Sequence, residues 1–223
     1  MRNRAHGWPL SRRAVLVAGA GFVAVAGVAG PAAAQDASAE AFVQTVGNQV
    51  LGVLKDESLG DQQKTAKLKQ ILNQATNLEL VARIILGRYW PKATAQQRQE
   101  YLRLFDALVM QTMAERIHSY TGQTFDITGS RKVDDQDTVV TTAISQPSGG
   151  QQYRVEWRVR KTGDKYQLID IVAEGVSLVV TQRSDVNNIV SQQGIDGLLA
   201  EMRRRLAQQG QGTTGQAKPK QAG

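Results

Sequence analysis

The feature that most constrains the fold is a change in the spacing of apolar residues near Gly122. Before Gly122, apolar side chains recur every three or four residues, which is the period of one helix face. After it, apolar and polar side chains alternate, which is the period of a half-buried strand. A helical first half followed by a run of strands predicts an α+β fold, in which helices cover one face of an antiparallel sheet.

Four helices are predicted in the first half, at residues 39–55, after Asp61 as N-cap, at 77–86 and at 94–120. Thr94 and Gln97 have the spacing of a capping box, in which each side chain binds the other residue's backbone N–H. The 77–86 segment is apolar over more than half of its circumference. Such a helix is buried on more than one side or lines a cavity.

Four strands are predicted in the second half, as an antiparallel meander. The clearest has Val155, Trp157 and Val159 on one face and charged residues on the other. Helical stretches at 178–190 and 195–206 close the domain, with Ser177 near the N-cap of the first. A curved sheet whose apolar face meets helices can leave a pocket between the two layers.

Both ends of the chain are predicted to lie outside this domain. Residues 1–34 carry four arginines before an apolar run and end in Ala32-Ala33-Ala34, which indicates a signal peptide. Arg12 and Arg13 also fit a twin-arginine signal, so the route of export stays open. The Gln- and Gly-rich residues 208–223 have the composition of a flexible tail. The folded domain is therefore predicted at 35–207.

Removal of the leader changes the charge of the protein. The whole chain has 27 basic and 20 acidic residues, a net charge of +7. Without the four leader arginines the balance is 23 minus 20, or +3. The basicity is thus largely a property of the leader, and no nucleic-acid partner is predicted.

Catalytic and metal-binding residue types are scarce. The chain has no cysteine, and His118 is the single histidine after the leader, so neither a histidine triad nor a cysteine or histidine metal site can be assembled. Asp170 interrupts an apolar strand. It lies on the solvated face, or is buried against Arg183 or Arg88, or acts as the general base of a small cone-shaped enzyme.

Two blocks of sequence occur in a fixed order along the chain. The first contains Leu86-Gly87-Arg88-Tyr89-Trp90, followed by Thr94, Gln97, Tyr101 and Phe105. The second contains Ile169-Asp170-Ile171-Val172, Gly175-Val176-Ser177-Leu178, Arg183-Ser184 and Gly194-Ile195-Asp196-Gly197-Leu198. Together the two blocks resemble the MlaC family, also called toluene-tolerance proteins, and the resemblance covers residues 39–206. Members of this family are periplasmic phospholipid-binding components of ABC systems that move lipid between two membranes.

The resemblance implies a monomeric periplasmic carrier that is not an enzyme and needs no cofactor or metal. Its expected partners are a phospholipid, an inner-membrane ABC transporter complex and an outer-membrane lipoprotein complex. A related branch is associated with hopanoids, so a hopanoid or other sterol-like cargo is an open alternative. Arg88 and Arg183 are assigned to structural pairing rather than to phosphate contact. The predicted lipid-binding residues are Val81, Ile84, Ile85, Val109, Met113, Trp157, Val172 and Leu178.

Overall fold

The computed structural model describes residues 36–147 and 149–214, with side chains up to Gln208. The predicted signal peptide and residues 215–223 lie outside this part of the chain. Within it, the helices are α1 (Ala37–Lys55), α2 (Asp61–Ala75), α3 (Leu78–Leu86), α4 (Ala95–Arg116) and α5 (Leu178–Thr214), with 3₁₀ segments at Gly87–Lys92 and Ile117–Ser119. The strands are β1 (Thr124–Lys132), β2 (Asp137–Ser145), β3 (Tyr153–Thr162), β4 (Lys165–Ala173) and β5 (Val176–Ser177). The predicted α+β class is confirmed.

Side chains at the helix ends explain where the helices begin. The Thr94 hydroxyl accepts from the Gln97 N–H at 3.2 Å, and the Gln97 side chain accepts from the Thr94 N–H at 3.0 Å. The predicted capping box is thus confirmed. Asp61 was expected to cap α2, but it is the first helical residue and Gly60 is the N-cap. The reason is that the Gln63 side chain reaches back to the Gly60 N–H, at 3.1 Å.

The strands pair in chain order, β1-β2-β3-β4-β5, and every pair is antiparallel. Four strands match the predicted meander, and the two-residue β5 is an addition to it. The register shifts between Ile127 and Gly129, and again between Arg158 and Val159. Such bulges bend a strand and increase its twist, so the sheet curves at these points.

One face of the sheet packs against helices and the other is charged. Trp157 pairs with Val140 on β2 and with Ile171 on β4, so these three side chains share a face. This helix-facing side packs on α1 and α2 in a cluster of Ala39, Val43, Ala75, Val140, Val159 and Leu168. Glu156 lies on the opposite face. The predicted alternation along β3 is therefore confirmed.

The buried apolar residues of the described chain form three clusters instead of one continuous core. The cluster on the sheet is one of them, and a second joins α3, α4 and α5 around Leu86, Tyr101 and Leu198. The buried Tyr101 hydroxyl donates to the Ala82 carbonyl at 3.0 Å, which ties α4 to α3. A small third cluster contains Val53, Leu68 and Ile117.

The C-terminal helix is longer than predicted. Gly194, with φ 71° and ψ −178°, interrupts it and separates the two predicted helical stretches. The second stretch then continues past Leu206 to Thr214, into the segment that composition predicts to be a flexible tail. Gln and Ala are compatible with a helix, so composition alone misplaces this end.

Gly47 and Gly52, both on α1, are expected to respond oppositely to alanine. A Cβ at Gly47 would lie 2.0 Å from Cζ of Phe125 on β1, whereas a Cβ at Gly52 meets nothing within 4 Å. Gly47→Ala should therefore lower the free energy of unfolding by about 1–3 kcal/mol, because the ring must leave α1. Gly52→Ala should raise it by about 1 kcal/mol through helix propensity. Urea denaturation of both variants measures this difference, and equal effects would show that Phe125 does not pack on α1.

Candidate functional site

The predicted lining residues on α3 fall into two groups. Ile85 is buried in the cluster that joins α3, α4 and α5, and Val81 packs against that cluster. These two side chains stabilise the helical layer. Ile84 is half-buried and packs against none of the three clusters among the described residues.

Three further predicted residues, Val109, Met113 and Trp157, are half-buried. Val109 on α4 is half-buried and, like Ile84, lies outside the three described clusters. Met113, one turn later, packs beside the small third cluster. Trp157 packs beside the sheet cluster, and its indole N–H donates to the Thr142 hydroxyl at 2.9 Å. Half-buried apolar side chains are thus present in both the helical layer and the sheet.

Two predicted lining residues are placed elsewhere. Val172 pairs with Glu156, on the sheet face opposite Trp157, and Ile171 is the β4 residue on the helix-facing side. The bulge in β4 is the physical reason, because it shifts the alternation of side chains between the two faces of the sheet. The continuous apolar run gives no sign of this shift. Leu178, the first residue of α5, is 52% exposed and belongs to no buried cluster of the described chain.

Tyr120 follows the second 3₁₀ segment and was not predicted from the sequence to be functional. Its hydroxyl oxygen is buried and, among the described side chains, is the one buried polar atom without a hydrogen-bond partner. An unpaired buried hydroxyl costs about 1–3 kcal/mol, so buried hydroxyls usually have a hydrogen-bond partner. The adjacent Ile117 belongs to the cluster that Met113 borders.

Asp170 is held at the start of α5, and neither predicted arginine is its partner. One carboxylate oxygen accepts the Ser177 hydroxyl at 2.5 Å, and the other accepts the backbone N–H groups of Ile171 and Val179 at 2.8 and 3.0 Å. Ser177 in turn caps α5 by accepting from the Val180 N–H at 3.0 Å, as predicted. These bonds join the sheet to the helix and assign Asp170 a structural role.

The two arginines of the family blocks, Arg88 and Arg183, are both exposed. Arg88 donates to the Tyr89 hydroxyl at 3.1 Å, so it pairs with the neighbouring tyrosine and not with an acidic side chain. The Arg183 guanidinium packs on the backbone of Gly87, with its Nε 3.3 Å from the position of a Cβ there. Gly87 has φ 53°, and the absence of a side chain lets the arginine approach.

Two surface grooves contain none of the eight predicted lining residues. One, of about 610 Å³, lies on strands β1 to β3, where Thr141, Ala143 and Arg154 form part of its wall. The other, of about 430 Å³, lies between α4 and α5 near Glu100 and Arg203.

Residues 36–147 and 149–214 contain no group of three or more histidine or acidic residues arranged to hold a metal ion. Over the same ranges, none of the helices combines the length and the apolar character needed to cross a bilayer.

Comparison with known proteins gives consistent matches. A family model described as "MlaC protein" matches residues 44–204. The intermembrane phospholipid transport system binding protein MlaC of Haemophilus influenzae is 26% identical over 135 residues, which are 59% of this chain and 63% of that relative. The match thus spans somewhat less than two thirds of the relative's length.

A solved structure supports the same comparison. It is a phospholipid-binding protein from Ralstonia solanacearum in complex with a phospholipid, and it superposes with a TM-score of 0.68 at 26% identity. The superposition covers 77% of this chain and 98% of the other.

Proposed function

This chain belongs to the MlaC family, and from that premise we propose that it is a periplasmic carrier that binds phospholipid and moves it between the inner and outer membranes. The observation that carries the proposal is the likeness to a phospholipid-bound structure over nearly the whole of that protein. The transport-system relative supports the same function. The inner-membrane ABC complex and the outer-membrane lipoprotein complex are the partners that this function requires.

The proposed binding region lies between α3, α4 and the helix-facing side of the sheet. Ile84 and Val109 contribute from the helices, and Trp157 and Ile171 from the strands. Each methylene moved from water into such a region contributes about 0.8 kcal/mol, so two acyl chains are held without a charged head-group site. The interruptions between the apolar clusters support this location, because a domain of this size usually has one continuous core.

The bonds around Asp170 favour a carrier over an enzyme. A general base must be directed at a substrate, whereas this carboxylate is held against its own chain by three hydrogen bonds, from the Ser177 hydroxyl and from two backbone N–H groups. We therefore assign no catalytic residue.

We infer that the Tyr120 hydroxyl binds a polar group of the lipid, such as an ester oxygen. Tyr120→Phe should then leave the thermal midpoint of the lipid-free protein unchanged or slightly higher, because an unpaired hydroxyl is removed. Phospholipid affinity should fall about tenfold, as expected for one lost hydrogen bond of about 1.4 kcal/mol. Lipid titration monitored by tryptophan fluorescence measures the affinities of the unmodified protein and of Tyr120→Phe. Equal affinities would contradict this role.

A vesicle-to-vesicle transfer assay tests the carrier function. Donor vesicles contain radiolabelled phosphatidylglycerol or phosphatidylethanolamine, acceptor vesicles contain none, and the two populations are separated after incubation with the protein. The proposal predicts transfer in proportion to protein concentration. For both lipids, transfer no faster than in buffer without protein would contradict it.

A further inference from the structure

Several cations surround the 3₁₀ segment Gly87–Lys92. The guanidinium carbons of Arg83 and Arg98 lie 5.0 and 5.4 Å from the centre of the same ring, that of Trp90. Arg88 and Lys92 lie 5.1 and 5.8 Å from the centre of the Tyr89 ring. We call these four cations, the two rings and the adjacent Arg183 the cationic surface.

The charge of this surface is almost uncompensated. Arg83 has one acidic partner, Glu79, whose carboxylate lies 3.9 Å away. Both side chains are more than half exposed. Arg98 donates to the backbone carbonyls of Trp90 and Pro91 instead of to an acid. No acidic side chain of the described residues lies within ion-pair distance of the remaining three cations. The other arginines of α5, by contrast, are paired with Glu100 or Glu201.

Exposed aliphatic side chains lie beside the cationic surface. Val176, Leu178 and Val180 are 58%, 52% and 64% exposed, and they lie at alternate positions where β5 passes into α5. We call them the apolar tip. Arg183 follows Val180 by one helical turn and packs on Gly87, so the tip and the cationic surface are neighbours.

The turn that precedes the tip is held in a restricted conformation. Glu174 and Gly175 have φ values of 49° and 81°, and Glu174 is the one non-glycine residue with positive φ in the described chain. Its side chain accepts from the Arg154 N–H at 2.6 Å, and its own N–H donates to the Arg154 carbonyl at 3.0 Å. The tip is therefore presented by a fixed turn, in spite of its exposure.

We propose that the cationic surface and the apolar tip together dock the protein on the surface of an anionic phospholipid bilayer. The aliphatic side chains enter the outer acyl region, the Tyr and Trp rings lie at the head-group level, and the cations bind lipid phosphates. The cations complement the negative charge of the bilayer surface. The protruding aliphatic side chains are placed beside them to enter its acyl region. The inference extends the proposed carrier function, because it gives the carrier a direct contact with the membrane that supplies or receives lipid.

Co-sedimentation with vesicles tests the docking surface, using the purified mature protein with phosphatidylcholine vesicles and with vesicles that contain 30% phosphatidylglycerol. The triple variant Arg88→Gln, Lys92→Gln, Arg183→Gln should bind the anionic vesicles at least about tenfold more weakly than the unmodified protein. The control carries Lys55→Gln, Lys132→Gln and Lys165→Gln, which are exposed cations elsewhere and change the net charge equally. We expect this control to lose less than about twofold.

A second pair of variants tests the apolar tip at unchanged charge. Leu178→Ser with Val180→Ser should weaken binding about fivefold, whereas Val133→Ser, at a valine that is 44% exposed on another turn, should not. Absence of binding to anionic vesicles, equal binding to neutral vesicles, or equal losses in the triple variant and its control would each overturn the proposal.

The lipid content of the same samples separates this proposal from the carrier function. Protein that contains phospholipid but does not bind vesicles would refute the docking surface alone. Protein that binds anionic vesicles through these residues but never contains lipid would refute the carrier function and leave the docking surface supported.

Discussion

Replacement of Asp137 by alanine is expected to lower the free energy of unfolding by about 3 kcal/mol, the largest stability loss among the changes considered. Asp137 is fully buried at the start of β2. Its carboxylate accepts from Arg158 Nε at 2.9 Å and from Arg160 Nε at 2.7 Å. Without the carboxylate, two guanidinium groups remain side by side on β3 and lose their buried counter-ion. Urea denaturation measures the loss.

Glu201 supplies a matched control for this prediction. Its carboxylate also pairs with two arginines, Arg204 and Arg205, but these arginines project from the exposed surface of α5. Solvent replaces such surface pairs at little cost. Glu201→Ala should therefore destabilise the protein far less than Asp137→Ala, and equal losses would show that the cluster on β3 is no more than a surface ion pair.

The same cluster predicts a pH dependence. Hydrogen bonds from Arg160 and then from Arg158 hold the pKa of Asp137 below its ordinary value, against the opposing effect of burial. Because the pKa is lower in the folded state than in the unfolded state, the stabilisation is complete at neutral pH. It is lost as the pH falls below about 4. The difference in stability between the unmodified protein and Asp137→Ala should shrink over that range.

Replacement of Val109 by tryptophan is expected to abolish most lipid binding without destabilising the lipid-free protein. If the space beside Val109 is the one that acyl chains occupy, the indole fills it. Exclusion of about four methylenes costs about 3 kcal/mol, which is more than a hundredfold in affinity. In a closely packed core the same change would instead destabilise the fold by about 1–3 kcal/mol. Lipid titration and thermal unfolding of the lipid-free protein distinguish these two outcomes.

Val172→Trp is the control for the tryptophan substitution. Val172 shares a face with Glu156, on the side of the sheet away from α1 and α2. Its replacement should leave phospholipid affinity within about twofold, because acyl chains do not reach that face. Equal loss of lipid in both variants would contradict the location proposed for the binding region.

The sequence predicted those parts of the fold that depend on local order. The change of period near Gly122, the capping box at Thr94 and the alternation along β3 are all local patterns, and the structure confirms each one. The helix-capping role of Ser177 was predicted for the same reason. Such features depend on residues only a few positions apart.

The candidate site was harder to predict because it depends on register and on packing between distant segments. The run Leu168 to Val172 is apolar except at Asp170, so it does not reveal which residues face the helices, and the bulge in β4 decides that Ile171 does. Leu178 was expected inside but is exposed at a turn whose geometry rests on Glu174 and Arg154. Nothing in the local sequence marked the Tyr120 hydroxyl, because a missing partner is visible only once every neighbour is placed.

Native mass spectrometry of the mature protein, purified from the periplasm without added lipid, tests the central claim most directly. The account predicts a mass increase equal to one phospholipid in a large share of the molecules, and its loss in Val109→Trp but not in Val172→Trp. A hopanoid mass in its place would keep the carrier function and change its cargo. Protein that is repeatedly free of lipid, and that gains none after incubation with phospholipid vesicles, would contradict the account.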